Sequence, residues 1–137
     1  MMARTTRTLV AAVAAVMIGA ASFATPAAAG GSVSFTYIPR DAKQARALSS
    51  TLQLFAAFDG MKNGGIKQKG KNNSAGLAQN GSGNFGLVHQ QGSGHKGTLT
   101  QNGNNNAYGL FQFGKKTRAN VVQKGTGKVG TTVQWGW

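Results

Sequence analysis

The chain has 137 residues, with 15 Lys or Arg against two acids (Asp41 and Asp59), a formal net charge of +13, no Cys and 21 Gly. The length suits one domain with no room for a second large core. Absent cysteine excludes a disulfide scaffold, Cys-based zinc sites and thiol catalysis, and two carboxylates leave almost nothing for acid–base or metal chemistry. Composition disfavours an enzyme, and no cofactor or small-molecule substrate is expected.

Residues 1–29 read as a secretory signal peptide. Arg4 and Arg7 make a positive start, Leu9 to Ser22 is apolar or small, and Ala27-Ala28-Ala29 supplies the small residues a signal peptidase accepts. The apolar run is shorter than the ~20 residues of a typical bilayer span. Cleavage after Ala29 would leave Gly30–Trp137 as a secreted product with thirteen basic side chains and two acids. Without cysteine it needs no oxidative folding.

Residues 30–61 form an N-terminal extension with two predicted elements. Ser32–Ile38 alternates like a strand, through Val33, Phe35 and Tyr37, and Pro39 ends it. Asp41–Phe58 reads as a helix, with Asp41 as N-cap and Gly60 just past the end. Ala45, Leu48, Leu52 and Phe55 share one face at helical spacing, with Leu54 and Phe58 beside it. Lys43 and Arg46 near the start oppose the helix dipole.

From residue 62 to the end a repeat dominates. The triplet Gln-x-Gly begins at Gln68, Gln79, Gln90, Gln101, Gln112, Gln123 and Gln134, every interval being 11. Two places before each Gln stand Ile66, Leu77, Val88, Leu99, Leu110, Val121 and Thr132. Four places before, the residue is small in all units except that of Tyr108. Six places before stand Asn73, Asn84 and Asn106, with Lys62, His95, Thr117 and Lys128 in the other units. A constrained set at steps of two marks a strand with one packed face, and the glycine-rich stretch after Gln marks a turn. Each unit is expected to be a seven-residue strand and a four-residue turn.

Such strands can bury their inner face only by stacking. The predicted fold is an all-β repeat, a two-sheet parallel β-solenoid of seven strand-turn units, with two consecutive units making one rung. Units ending at Gln68, Gln90, Gln112 and Gln134 fall in one sheet, and those at Gln79, Gln101 and Gln123 in the other. Ile66, Leu77, Val88, Leu99, Leu110 and Val121 are the predicted core. Inward amides are costly unless paired, and stacked copies solve this because each can donate to the identical side chain one rung away. Gln68, Asn73, Gln79, Asn84, Gln90, Gln101, Asn106, Gln112, Gln123 and Gln134 are the predicted ladder. Both terminal rungs are expected to expose unpaired backbone edges for end-to-end growth.

The pattern Gln-x-Gly-x-x-Asn-x-Ala-x-x-x-Gln, complete in Gln68–Gln79, resembles the repeat of the curlin family. The resemblance covers residues 62–137 and implies a subunit of curli-like extracellular amyloid fibres that mediate adhesion and biofilm matrix formation. It also implies the polymer itself as chief partner, export through curli-type outer-membrane machinery, and no catalytic residues. His95, Thr117, Lys62 and Lys128 depart from the Asn slot and Tyr108 from the small-residue slot. The structured extension departs from the short Gly/Asn-rich secretion tract of curlin subunits.

The two sheets are expected to differ outside. The first turns Phe85, Leu87, Phe111, Phe113, Val133 and Trp135 outward, an apolar face too large to stay wet. Either the helix packs on it or two coils pair through it. The second turns Ser74, Lys96, Thr98, Thr100, Arg118 and Lys124 outward. Residues 62–137 hold ten cations (Lys62, Lys67, Lys69, Lys71, Lys96, Lys115, Lys116, Arg118, Lys124 and Lys128) and no acid. They serve as gatekeepers on the starting edge, or attract an anionic polymer such as acidic polysaccharide or nucleic acid, or fit a minor nucleating subunit beside an acidic curlin. A monomeric secreted solenoid, capped by its extension, is the competing class.

Other motifs dissolve into the repeat. Three Gly-x-Gly-x-x-Gly matches, beginning at Gly81, Gly92 and Gly125, lie at multiples of eleven without the strand–helix context of a dinucleotide site. His89 and His95 lack partners for a metal site, and the two Asn-x-Ser matches at Asn72 and Asn80 are short.

Overall fold

The computed structural model describes residues 30–61 and 63–137. The expected signal peptide and Lys62 lie outside the described residues. In chain order the elements are β1 (Ser32–Tyr37), α1 (Ala42–Phe58), β2 (Gly65–Lys71), β3 (Ser74–Asn80), β4 (Phe85–Ser93), β5 (Lys96–Asn102), β6 (Ala107–Lys115), β7 (Arg118–Lys124) and β8 (Val129–Gly136).

Strands β2 to β8 wind into a parallel β-solenoid. One sheet has the order β1-β8-β6-β4-β2 and the other β3-β5-β7. Parallel partners are two repeat units apart throughout, Gln68 opposite Gln90 opposite Gln112 opposite Gln134, and Gln79 opposite Gln101 opposite Gln123. The repeat interval and its alternation between sheets therefore stand as read. Three strands of the first sheet are longer than seven residues, β4 and β6 at nine and β8 at eight, while β2 keeps seven; between β4 and β6 pairing continues past the glycine to Ser93 and Lys115.

The turns explain why glycine follows each Gln. A Cβ on Gly92 would overlap the carbonyl oxygen of Gly114 one rung away, and Gly92 has φ +130°, a region costly to any other residue. Two residues on, every unit turns through the left-handed region: Asn72, Gly83, Gly94, Asn105, Lys116 and Gly127 all have φ between 53° and 71°. Gly and Asn suit that position, whereas Lys116 does not.

The extension folds onto the solenoid. Asp41 caps α1, its carboxylate accepting from Gln44 N at 2.8 Å; this N-cap and the buried face outweigh the basic residues in the first turns. Leu48, Leu52, Phe55 and Ala56 bury against Leu87, Phe111, Phe113 and Val133, so the helix takes the outer apolar face of the first sheet. Leu54 and Phe58 stay about half exposed. A second, thinner core of Val88, Leu99, Tyr108 and Leu110 fills the solenoid, with Leu77 and Val121 at its margins.

One expectation is corrected. Strand β1 pairs antiparallel with β8 over six residue pairs, from Ser32–Gly136 to Tyr37–Thr131. The C-terminal edge of the first sheet is thus covered, and the C-terminal rung does not present two open edges.

Candidate functional site: amide ladders and strand edges

The inward glutamines form two columns. In the first sheet Gln68 Nε2 donates to Gln90 Oε1 at 2.8 Å, Gln90 to Gln112 at 2.7 Å, and Gln112 to Gln134 at 2.8 Å. In the second, Gln79 donates to Gln101 at 2.8 Å and Gln101 to Gln123 at 2.9 Å. Gln90, Gln101 and Gln112 are fully buried. All donors point toward the C-terminal end, so each column has a polarity. The second amide hydrogen crosses to the opposite sheet: Gln90 reaches Ser74 O at 2.9 Å, Gln101 reaches Phe85 O at 3.0 Å, and Gln112 reaches Lys96 O at 3.0 Å. Gln123 reaches Ala107 O at 3.3 Å and Gln134 reaches Arg118 O at 2.8 Å. Glutamine thus serves stacking and sheet-to-sheet stapling together, which Leu cannot do.

The asparagines behave differently from the expected side-chain ladder. Asn84 Oδ1 accepts from Asn106 N at 3.1 Å while its Nδ2 donates to Gly103 O at 2.8 Å. Asn106 does the same with Lys128 N and Gly125 O, and Asn73 with His95 N and Gly92 O. Each Asn pins the turn of the next rung through backbone groups, because the short side chain reaches the corner and not its own copy. Any residue can therefore follow it in the slot. His95 sits there fully buried, its Nδ1 2.8 Å from Thr117 Oγ1 and accepting from Thr117 N at 3.3 Å, with Nε2 3.2 Å from Gln91 O. With Nδ1 accepting, the ring hydrogen sits on Nε2, toward the Gln91 carbonyl. Tyr108 is inward too, its hydroxyl 2.6 Å from Thr132 Oγ1, and burial pushes its pKa above 10.

Of the predicted core, Val88, Leu99 and Leu110 are fully buried, while Ile66 is 41% exposed because no rung lies beneath it. Of the outer apolar residues, Leu87, Phe111, Phe113 and Val133 are buried under α1, Phe85 is half-buried and Trp135 is 49% exposed. The rings of Phe111 and Phe113 are therefore unavailable for stacking nucleic-acid bases. Lys69, Lys71, Lys96, Lys115, Lys116, Arg118, Lys124 and Lys128 are all exposed. Lys96 and Arg118 are register partners on the second sheet.

Sequence reasoning missed a buried ionic cluster joining the extension to the coil. Asp59 ends α1, its N–H donating to Phe55 O at 3.0 Å. Its carboxylate accepts from Lys67 Nζ at 2.6 Å and lies 2.9 Å from His89 Nδ1. Phe55 meets the His89 ring edge-on at 5.4 Å. Burial pushes the His89 pKa below 6.5 against the opposing pull of Asp59, with Lys69 and Lys67 adding to the fall. His89 Nε2 is buried without a partner among the described residues, consistent with a neutral ring donating from Nδ1. The signal was the acid itself: one of only two in the chain, standing at a helix end.

The family model of the curlin associated repeat matches residues 70–103. Over these residues the chain is similar to the curlin associated repeat. The matched span runs from the end of β2 through β5. No curated protein and no solved structure matches the chain. Among the described residues no group of His, Asp or Glu could hold a metal ion, and no helix is long and apolar enough to cross a membrane.

Proposed function

We propose that this chain is a structural subunit of curli-like extracellular fibres, exported by its N-terminal signal and serving adhesion and biofilm matrix formation. The observation that carries this reading is the polar amide column. A stack whose every layer donates to the next is, in chemical terms, unfinished at both ends: Gln68 and Gln79 offer Oε1 at one, Gln123 an amide hydrogen at the other. β2 and β3 also leave their outer backbone edges unpaired among the described residues, and an open strand edge is a template for another chain.

Curlin repeats and a solenoid of stacked amides support a structural and not a catalytic role. The test is assembly of the purified product beginning at Gly30. A lag phase abolished by seeds, with cross-β diffraction near ~4.8 Å, is expected; a monomer stable at high concentration with seeds would overturn the reading.

A basic minor subunit that nucleates a more acidic curlin is a second reading, favoured by the exposed cations and the absence of any acid in residues 62–137. Mixed assembly with an acidic curlin-repeat protein, faster than either alone, is its expected signature. The same cations make anionic polymers candidate ligands of the fibre.

A further inference from the structure

Seven units make an odd number, and this fixes how a second copy would have to join. Successive strands alternate between sheets, so each unit follows the last by a half turn about the axis and half a rung along it. After β8 in the first sheet, the next strand belongs beside β7 in the second. A second copy continuing the stack therefore lays its β2 on β7 and its β3 on β8. The two-unit register then brings its Gln68 opposite Gln123 and its Gln79 opposite Gln134.

The two halves of that landing site differ. β7 pairs only with β5, and its other edge is open among the described residues. Gln123 has no glutamine beyond it to receive its amide, which reaches only Ala107 O at 3.3 Å. A cleft of about 510 Å³ lies beside this edge, between Ile38, Arg40 and Ala45 of the extension and Val121, Gln123 and Lys128 of the solenoid. The β8 half is occupied by β1, in the antiparallel sense and without a glutamine. Where every other rung has a Gln–Gln bond of 2.7–2.9 Å, Gln134 meets Ser34 Oγ at 3.4 Å. The inward face of β1 otherwise contributes the contact of Thr36 Oγ1 with Thr132 Oγ1 at 2.9 Å.

We infer that the partner of this C-terminal end is the first rung of a second copy, captured at the open β7 edge and completed when its β3 displaces β1 from β8. The inference rests on the fibre reading and adds a gate to it. β7 is the toehold: β2 of the newcomer, with the open Oε1 of Gln68, adds there without anything leaving. β1 is the cap: it closes β8 in the free subunit and yields to a strand that restores the amide column. Growth is then limited by release of β1, and a solitary chain is protected from premature polymerisation. Parallel strand addition guided by matched side-chain positions is a known recognition mode for sheet edges; here the competing strand belongs to the receiving chain.

The chain contains no cysteine, so a designed disulfide can be switched cleanly. Thr36→Cys with Thr132→Cys joins β1 to β8 at a pair whose side chains already touch. The oxidised double variant of the Gly30–Trp137 product, mixed with preformed wild-type seeds, is expected to elongate at least tenfold more slowly than the same protein after reduction. Wild type is expected to be indifferent to the reductant. A separate variant, Val33→Pro, removes a β1 N–H that faces Trp135 in the ladder, since Val33 lies two places from the Gly31–Trp137 pair that exchanges both backbone bonds; it alters no residue of β8 and is expected to shorten the unseeded lag severalfold. Equal elongation by oxidised and reduced forms, or an unchanged lag for Val33→Pro, would overturn the gate while leaving the fibre reading intact. Failure of wild type and both variants to elongate would overturn the fibre reading, and the gate with it.

Discussion

Gln112→Leu is the most informative substitution because it separates burial from pairing. Gln112 is fully buried, accepts from Gln90 at 2.7 Å, and donates to Gln134 at 2.8 Å and to Lys96 O at 3.0 Å. Leucine fills nearly the same space and gains on the order of 1 kcal/mol of apolar burial. It strands one hydrogen of Gln90 and the carbonyl of Lys96 inside the coil, and a buried group left without its partner costs about 1–3 kcal/mol. The net expectation is a loss of about 2–4 kcal/mol. Gln68→Leu at the exposed first rung removes only one donor, to Gln90 Oε1, and should cost about 1 kcal/mol or less. Urea denaturation of the soluble product measures both, with a midpoint shift of roughly 1–2 M for Gln112→Leu if m is about 2 kcal/mol/M. A Gln112→Leu protein as stable as wild type, or a Gln68→Leu protein equally damaged, would refute the reasoning.

The same geometry makes three further predictions. The His89 pKa is lowered by burial, so the folded ring stays neutral while the unfolded one takes up a proton; stability should hold above pH ~6.5 and fall as pH drops below it. His89→Phe should flatten that dependence in urea titrations at about pH 7 and pH 5. Gly92→Ala drives a methyl into the Gly114 carbonyl and should cost about 3 kcal/mol or more, seen as lost strand signal in circular dichroism. Lys116→Gly relieves a left-handed residue at φ 53° and should raise stability by about 1 kcal/mol, read from the thermal midpoint.

The coil was legible because its information is periodic. Gln at every eleventh place, with an aliphatic residue two before it, fixes strand, face and register together, and the amide pairing follows from the cost of burying Gln. The helix was legible from Asp41, Gly60 and the spacing of Leu48, Leu52 and Phe55, and the apolar stripe through Phe111 and Phe113 left two ways to cover it, of which the helix is the one found. What stayed hidden are the contacts that occur once. Ser34 and Gln134 lie a hundred positions apart, and nothing in either segment states that β1 runs antiparallel along β8. The Asp59–Lys67–His89 cluster joins three residues of different elements, so no interval announces it. The Asn slot misleads because its recurrence suggests Asn-to-Asn pairing, but only Asn84 and Asn106 stand one rung apart, and Asn106 satisfies itself on the backbone of Lys128 and Gly125.

Side-chain amide NMR offers the most direct check of the columns. In the folded monomer, the Nε2 protons of Gln90, Gln101 and Gln112 should exchange slowly with solvent and show cross-peaks to the glutamine one rung away, with Gln68 and Gln79 exchanging faster at the open end. Rapid exchange at all seven glutamines, with no contact between those on adjacent rungs, would contradict the account.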